Sequence, residues 1–318
     1  MILMTSPGAI LANRLLPLPA ICLILALGLP VTATAAQGRQ QSFASPEKGA
    51  HGLFAAVKAD DTHKLVAILG PGSETLVSSG DTVADATGRT LFVKLYEKHN
   101  RIERLNSNKA ILIIGSQYHP FPIPLIREGK RWRFDTKAGR EEILNRRIGK
   151  NELNAIAVAR AYVIAQREYA TKDRDADGAV AFAQQFRSTP GRKDGLFWEV
   201  NEGEEESPLG LLAARAANEG YGETSPERAN PYHGYIFKIL KAQGEHAEGG
   251  PYEYVVNGKM LLGFALVAYP AHHGSSGVMT FIVNQSGVVY QNDLGNATEV
   301  IASAMTHYDP DKNWKKVD

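Results

Sequence analysis

The spacing of apolar positions predicts a helical stretch followed by a strand-rich stretch, and this order occurs twice along the chain. Near the start, Leu53, Phe54 and Val57 form an apolar stripe with the spacing of one helix face. Ser45 before Pro46 is typical of a helix start, with serine as the N-cap and proline in the first turn. The helices predicted in this half cover residues 46–60, 62–69 and 84–105.

Strand patterns follow these helices. Residues 110–114 are an apolar run, and 121–126 lead through a Glu-Gly-Lys turn into the alternating segment 131–135, which predicts a hairpin. Residues 37–136 are therefore predicted to form an α+β domain, analogous at the level of fold to the NTF2-like or cystatin-like cone. Such cones often hold an apolar pocket, which Phe121, Trp132 and Phe134 would line. Ordinary core packing of the same aromatic residues is the alternative.

The second half repeats the order. A charged helical linker is predicted over 137–150, followed by a long helix over 151–171 whose buried face carries Val158, Tyr162 and Tyr169. Residues 151–318 are predicted to form a second α+β domain with an antiparallel strand meander. Its further elements are a helix at 209–218, strands at 233–240, 252–256, 260–269, 278–283 and 288–290, and a helix at 297–305.

The first 36 residues have the pattern of a secretory signal peptide. Arg14 is their only charged residue, an apolar run follows it, and Ala33-Thr34-Ala35 is a small-residue cleavage site. We therefore expect a periplasmic or secreted bacterial protein with no permanent membrane span after cleavage. Prolines 17, 19 and 30 interrupt the run, which argues against the alternative of an uncleaved anchor.

Composition narrows the function classes. The single cysteine, Cys22, lies inside the predicted signal, so disulfides and thiol catalysis are not expected in the mature chain. Without Arg14 the 35 basic residues become 34, which equals the 34 acidic ones. With no sustained basic stripe, nucleic acid is not an expected partner. The expected partner is an unknown envelope protein or a small ligand.

An Asp-rich segment predicts a calcium loop. Carboxylates at positions one, three and five, with glycine at six, wrap oxygens around a hard cation and allow the sharp turn that follows. The predicted metal ligands are Asp173, Asp175, Asp177, Ala179 and Gln184. Gln184 stands at position twelve, where a bidentate glutamate is usual, so weakened affinity is expected. An Asp- and Gly-rich turn without metal is the alternative.

Other polar residues give weaker predictions. His272 and His273 precede Ser275 and Ser276, but no G-x-S-x-G elbow surrounds them, and a polar loop is the favoured interpretation. Arg146 and Arg147 are candidates for binding an anion or for a structural clamp between the two domains. No catalytic residue and no cofactor other than calcium is predicted.

Eight segments carry a resemblance to a known family. They are FASP at 43–46, FPIPL at 121–125, WRFDT at 132–136, EEILNRRIG at 141–149, QREYA at 166–170, RSTPG at 187–191, YHGY at 232–235 and GVMTFIVN at 277–284. Together they resemble the DUF2950 family of exported bacterial proteins of unknown function, from which no catalytic residue carries over. The second half is also similar to the head domains of pilin-like and pseudopilin proteins, which commonly bind calcium in a loop.

These expectations favour a non-catalytic binding or structural module of the bacterial envelope, with a calcium-stabilised loop. One alternative is a periplasmic hydrolase that uses an interdomain cleft, with His233, His272 or His273 as the base. Another is a small-molecule carrier that uses the N-terminal cone. A histidine facing a carboxylate in a deep cleft would favour the hydrolase, and an apolar pocket behind Trp132 would favour the carrier.

Overall fold

The computed structural model describes residues 40–174, 176, 178–221 and 231–317, and the predicted signal segment 1–36 lies outside them. Seven α-helices lie in this part of the chain. Their bounds are α1 Pro46–Lys58, α2 Thr62–Leu69, α3 Glu74–Val77, α4 Thr82–Lys98, α5 Thr136–Tyr169, α6 Gly210–Asn218 and α7 Thr298–Ala304, and a 3₁₀ turn at Gly295–Ala297 precedes the last.

The first half contains a five-stranded antiparallel sheet. Its strands are β1 Asn100–Asn106, β2 Lys109–Ile114, β3 His119–Pro120, β4 Leu125–Glu128 and β5 Arg131–Phe134. They pair in the order β1-β2-β4-β5, with β3 also on β2. The predicted hairpin is present as β4 and β5, where Glu128 pairs with Arg131.

Helix starts in this half follow the predicted capping chemistry. Ser45 and Asp61 accept hydrogen bonds from the backbone N–H groups of Lys48 and Lys64, which cap α1 and α2. The predicted helix 84–105 is wrong at its C-terminal end. The helix ends at Lys98, and Asn100–Asn106 is strand β1. Local helical spacing is overridden there because the segment pairs along the whole length of β2.

Helix α5 is continuous over 34 residues, a length of about 51 Å. The predicted linker and the predicted long helix are therefore one element. Ile143, in its first part, packs against the core of the first half, whereas Tyr162, in its second part, is buried in the core of the second half. Gly139 allows α5 to approach the sheet closely, because a Cβ there would lie 2.6 Å from the carbonyl oxygen of Pro122.

The second half is built on another five-stranded sheet, in the order β15-β13-β12-β11-β6. Its strands and those of two smaller sheets are β6 Tyr235–Leu240, β7 Ala242–Gln243, β8 Tyr252–Glu253, β9 Val255–Val256, β10 Lys259–Met260, β11 Ala265–Pro270, β12 Thr280–Asn284, β13 Val289–Asn292, β14 His307–Tyr308 and β15 Lys315–Lys316. Every residue of β11 and β12 is buried, as expected for strands covered on both faces.

The predicted fold class, α+β, is confirmed, because helices and antiparallel sheets build both halves. The division into two domains stays a prediction. Among the described helices, none combines the length and the hydropathy needed to cross a bilayer.

Candidate functional site

The first half contains a cavity of about 430 Å³ that opens to solvent beside α5. This volume lies within the range of small-molecule pockets in proteins, roughly 300–1,000 Å³. The apolar part of its lining comes from α1 to α5 and from the segment between β3 and β4. These side chains are Leu53, Val57, Leu65, Leu69, Leu76, Val77, Ala84, Phe92, Phe121, Pro122, Ile123 and Ile143. Leu53 and Ile123 are almost fully buried, so the cavity reaches into the core of this half.

Only part of the predicted aromatic lining is correct. Phe121 lines the cavity. Trp132 and Phe134 are buried in the core instead, and neither belongs to the cavity lining. The Trp132 backbone bridges to Phe43, and Arg104 lies over its ring at 5.5 Å. Phe92 from α4 is the second aromatic residue of the lining.

Polar side chains border the cavity on the side formed by α4 and the middle of α5. They are Ser79, Asp85, Arg89, Arg147, Lys150 and Asn151, and we call this group the polar rim. The side chains of the polar rim differ in exposure: Asp85 and Arg147 are half-buried, whereas Lys150 is exposed. The cavity is therefore amphipathic, with an interior of aliphatic and aromatic side chains and a charged border.

The hydrogen-bonding capacity of the rim is uneven. Both carboxylate oxygens of Asp85 accept bonds from Ser79, one from its backbone N–H and one from its hydroxyl, each at 2.8 Å. Arg89 pairs with Asp60 at 2.7 Å and donates to the Val77 carbonyl. Arg147 donates to the carbonyl oxygens of Thr75 at 2.6 Å and Leu76 at 2.8 Å. Both oxygens of Asp85 are thus engaged by Ser79, and Arg147 joins α5 to the α3 region.

The electrostatics of Arg147 follow from its position. Burial lowers the pKa of its guanidinium, and the negative charge of Asp85 opposes that change. Arg146, its neighbour in sequence, points away and pairs with Glu142 one turn earlier in the helix. The sequence did not distinguish these two arginines, because only the rotation of α5 against α3 decides which one faces the cavity.

Next to the rim, Asp81 joins the two halves. Its carboxylate is only 2% exposed and caps α4 by accepting a bond from the Ala84 N–H at 2.9 Å. The other oxygen accepts bonds from the Tyr221 hydroxyl and the Gly234 N–H, both at 2.8 Å. Asp81 therefore links the start of α4 to Tyr221 and Gly234 of the second half.

The YHGY segment packs against this junction. His233 has a positive φ of 48°, an uncommon conformation for a residue other than glycine. Its ring lies 4.3 Å from that of Tyr232, and its Nε2 is 2.9 Å from a carboxylate oxygen of Glu219. The contact is too bent for a hydrogen bond, so Nε2 is buried without one. Burial lowers the pKa of His233, whereas the Glu219 charge raises it.

Gly234 allows the YHGY segment to approach α5 closely. A Cβ at that position would lie 2.5 Å from the side-chain nitrogen of Asn151, which itself donates to the Ser276 carbonyl. Asn151 also belongs to the polar rim. Asn151 therefore contacts the YHGY segment and also lines the cavity.

Residues 40–317 match the model of a family described as a protein of unknown function, DUF2950. The chain belongs to the DUF2950 family. No curated protein and no solved structure matches it. The NTF2-like, cystatin-like and pilin-head-like interpretations of its two halves accordingly stay predictions, and the membership fixes neither a substrate nor a reaction.

The predicted calcium ligands of this DUF2950 chain are described only in part, because Asp175 and Asp177 lie outside the described residues. Asp173 accepts a bond from the Gly178 N–H at 2.7 Å, which closes the loop as an Asp- and Gly-rich turn would. Gln184 donates to the Gly258 carbonyl, and its amide oxygen accepts from the Lys241 ammonium at 3.1 Å.

Three further observations bear on the calcium site. A lysine at the Gln184 amide oxygen opposes a second cation there. Ala179 lies in the same loop as Asp173. Within the described ranges, no three His, Cys, Asp or Glu side chains converge on a metal position. Calcium binding stays a prediction.

Arg174 anchors this loop to the second half. Its side chain is 8% exposed and lies between the rings of Tyr169 and Trp198, 4.8 Å from each centroid. It also pairs with Glu205 at 3.2 Å. Glu205 contacts Lys172 and Lys193 as well, and its pKa is lowered to about 2, chiefly by the Lys172 hydrogen bond.

The histidine and serine cluster does not assemble as a base and a nucleophile. The Ser276 hydroxyl exchanges hydrogen bonds with the backbone of His272, and the Ser275 hydroxyl points to the Thr75 carbonyl. His273 instead contacts Asp293 at 2.8 Å. The polar-loop interpretation therefore fits this segment better than a catalytic one.

Proposed function

We propose that this DUF2950 chain is a non-catalytic binding module of the bacterial envelope that holds a small amphipathic molecule in the cavity of its first half. The observation that carries the proposal is the coexistence of an aliphatic interior and a polar rim in one cavity of about 430 Å³. A concave site of this size, with a mostly apolar lining and a few converging polar groups, is typical of small-molecule pockets, which favours an occupant. The pattern of a signal peptide in residues 1–36 supports the envelope setting.

The occupant is expected to place its apolar part against the aliphatic walls. Burial of apolar surface contributes about 25 cal/mol per Å², and a ligand that covers the walls gains this without displacing protein atoms. The polar rim would then orient the other end of the molecule toward solvent. This arrangement fits a carrier or sensor, in which binding and release need no covalent step.

A fluorescent probe tests the proposal directly. N-phenyl-1-naphthylamine is uncharged and fluoresces in apolar surroundings, and we expect saturable binding of one probe per chain. Ile143→Phe narrows the cavity, because Ile143 lines it, and should abolish the signal. Ile156→Phe is the matched control, since Ile156 is also half-buried on α5 but packs against the second core.

Binding of the probe to the wild-type chain and to the two variants decides between the outcomes. Loss of binding in Ile143→Phe with retention in Ile156→Phe supports the cavity as the site. No probe binding by the wild-type chain, or equal binding by both variants, would overturn the proposal. Circular dichroism of the three proteins confirms that they are folded.

A hydrolase is the second candidate, and one observation favours it: the His233 ring faces the Glu219 carboxylate at 2.9 Å, beside the polar rim. A general base needs such a partner to hold its ring. Release of nitrophenol from p-nitrophenyl decanoate tests this function. We expect only the rate seen without protein. A faster rate that is lost in His233→Gln would replace the binding proposal by the enzymatic one.

A further inference from the structure

The donors and acceptors of the polar rim are not balanced, and the imbalance points to the charge of the ligand. Each member either has its hydrogen-bonding groups engaged by the protein or leaves them open to the cavity border. The groups left open are the ones that a ligand head group would meet. The open groups of Asp85, Arg147 and Lys150 therefore indicate whether the head group of the ligand is anionic, neutral or cationic.

Asp85 offers little to a ligand. Its two oxygens each accept a 2.8 Å bond from Ser79, and it stands in the first turn of α4, where the helix dipole also favours its charge. Each oxygen keeps a second acceptor position, but the Asp85 charge is already opposed by the guanidinium of Arg147. Arg89 is paired with Asp60, so the remaining cations of the rim, Arg147 and Lys150, outnumber this single acid. The acid of the rim is therefore a structural brace of the α4 start.

Arg147 and Lys150 have the opposite character. A guanidinium has five N–H groups, and Arg147 uses two of them on the Thr75 and Leu76 carbonyls, which leaves three without an acceptor in the described part of the chain. Lys150, one turn further along α5, has no ion-pair partner among the described residues. Both line the cavity. The open groups of the rim are thus donors with positive charge.

We infer that the ligand is an amphipathic oxyanion, with an apolar chain or ring system in the cavity and a carboxylate or phosphate held by Arg147 and Lys150. This inference rests on the proposed function and adds the chemical class of the ligand. Hydrogen bonds from a cation to a carboxylate are among the strongest in proteins. The half-buried position of Arg147 reduces competition from water for the same bonds. Arg89, the third cation of the rim, is already neutralised by Asp60.

Four amphiphiles with a ten-carbon chain test the inference by displacing N-phenyl-1-naphthylamine. They are decanoate, decyl phosphate, decanol and decyltrimethylammonium, each used below its micellar or solubility limit. We expect an oxyanion to displace the probe at a concentration roughly tenfold or more below that of decanol, as one charge-assisted bond predicts. The ratio of decanoate to decyl phosphate identifies the preferred head group.

Two lysine variants test whether the preference for oxyanions depends on the polar rim. Lys150→Met keeps the length of the side chain and removes its charge, and should bring decanoate within about threefold of decanol. Lys137→Met is the matched control, because Lys137 is exposed on the same helix but lies outside the cavity lining, and should leave the preference unchanged. Added salt should weaken decanoate more than decanol.

Failure of the inference differs from failure of the proposed function. Equal displacement by decanol and both oxyanions, or strongest displacement by decyltrimethylammonium, would overturn the oxyanion while leaving the cavity as a binding site. A preference for oxyanions that Lys150→Met leaves unchanged would overturn the assigned head-group position. If the uncharged probe itself does not bind, both the function and the ligand class are wrong.

Discussion

The two halves of the molecule share a class of fold but differ in how they fill their interiors. In the second half, aromatic rings interlock between α5 and the central strands, as where Tyr162 meets Phe264 at 5.6 Å. In the first half, a cavity of about 430 Å³ lies among aliphatic side chains. The comparison teaches that apolar composition alone does not produce a filled core. One half buries its apolar surface in a filled core, and the other leaves part of it lining a cavity.

The largest expected effect on stability comes from removing one aromatic ring, and the loss should differ between the two halves. Phe264→Ala should lower the free energy of unfolding by about 3–5 kcal/mol, because Phe264 is 1% exposed and lies between Tyr162 and Phe182. Phe92→Ala should cost only about 1–2 kcal/mol, since Phe92 is half-buried and already borders a cavity. Urea unfolding measures both. Equal losses would show that the two interiors are packed alike.

The junction between the halves should respond almost as strongly. Asp81→Ala removes the acceptor of three hydrogen bonds, from Ala84, Tyr221 and Gly234, and should cost about 2–4 kcal/mol. Asp61→Ala is the matched control, because Asp61 caps α2 through the single donor Lys64 and should cost about 1 kcal/mol. A similar small loss in both variants would mean that Asp81 acts only as a helix cap.

A smaller effect is expected where the Asp-rich loop meets the second half. Arg174→Met should destabilise the chain by about 1–2 kcal/mol, because the guanidinium lies between two rings and pairs with Glu205. Arg187→Met serves as the control. Its side chain is 51% exposed, lies over the Phe197 ring and pairs with Glu199 at 3.6 Å. Solvent screens these exposed contacts, so the loss should be about 0.5 kcal/mol. Thermal unfolding distinguishes the two, and a larger loss in the control would contradict the anchoring role.

The smallest expected effect is a pH dependence from Glu205. Its pKa in the folded chain is about 2, below the ordinary 4.5, so the unfolded chain binds more protons in this range and stability rises with pH. The contribution is therefore complete above about pH 4.5 and is lost as the pH falls toward 2. Glu205→Gln should flatten the unfolding free energy in this window relative to the wild type. An unchanged slope would show that the three cations do not act on this carboxylate.

Local features were predictable from sequence where the chemistry is local. The N-caps Ser45 and Asp61, the hairpin at Glu128 and the strand at 110–114 were all correct, because capping and alternation depend on neighbours in the chain. The helix predicted to Leu105 was wrong because β2 supplies a strand partner about ten residues away. The break predicted in the helix at residue 150 was wrong for a similar reason: two cores pack on one continuous helix.

The candidate site was only partly accessible in this way. Phe121 and the arginine pair were selected from the sequence, yet Trp132 proved to be core, and Lys150 and Asp85 carried no pattern that would single them out. Their importance comes from α3, α4 and α5 meeting at one place, which involves residues about 70 positions apart. The His233 and Glu219 contact likewise joins residues that no motif connects.

By itself, the amino-acid sequence determined the α+β class, the helix starts and the membership in DUF2950, because each depends on composition and short-range order. The tertiary structure alone decided that α5 belongs to both halves, that one core borders a cavity, and that Arg147 and Lys150 line the edge of this cavity. These properties depend on the rotation and close approach of distant helices, which short-range patterns do not encode.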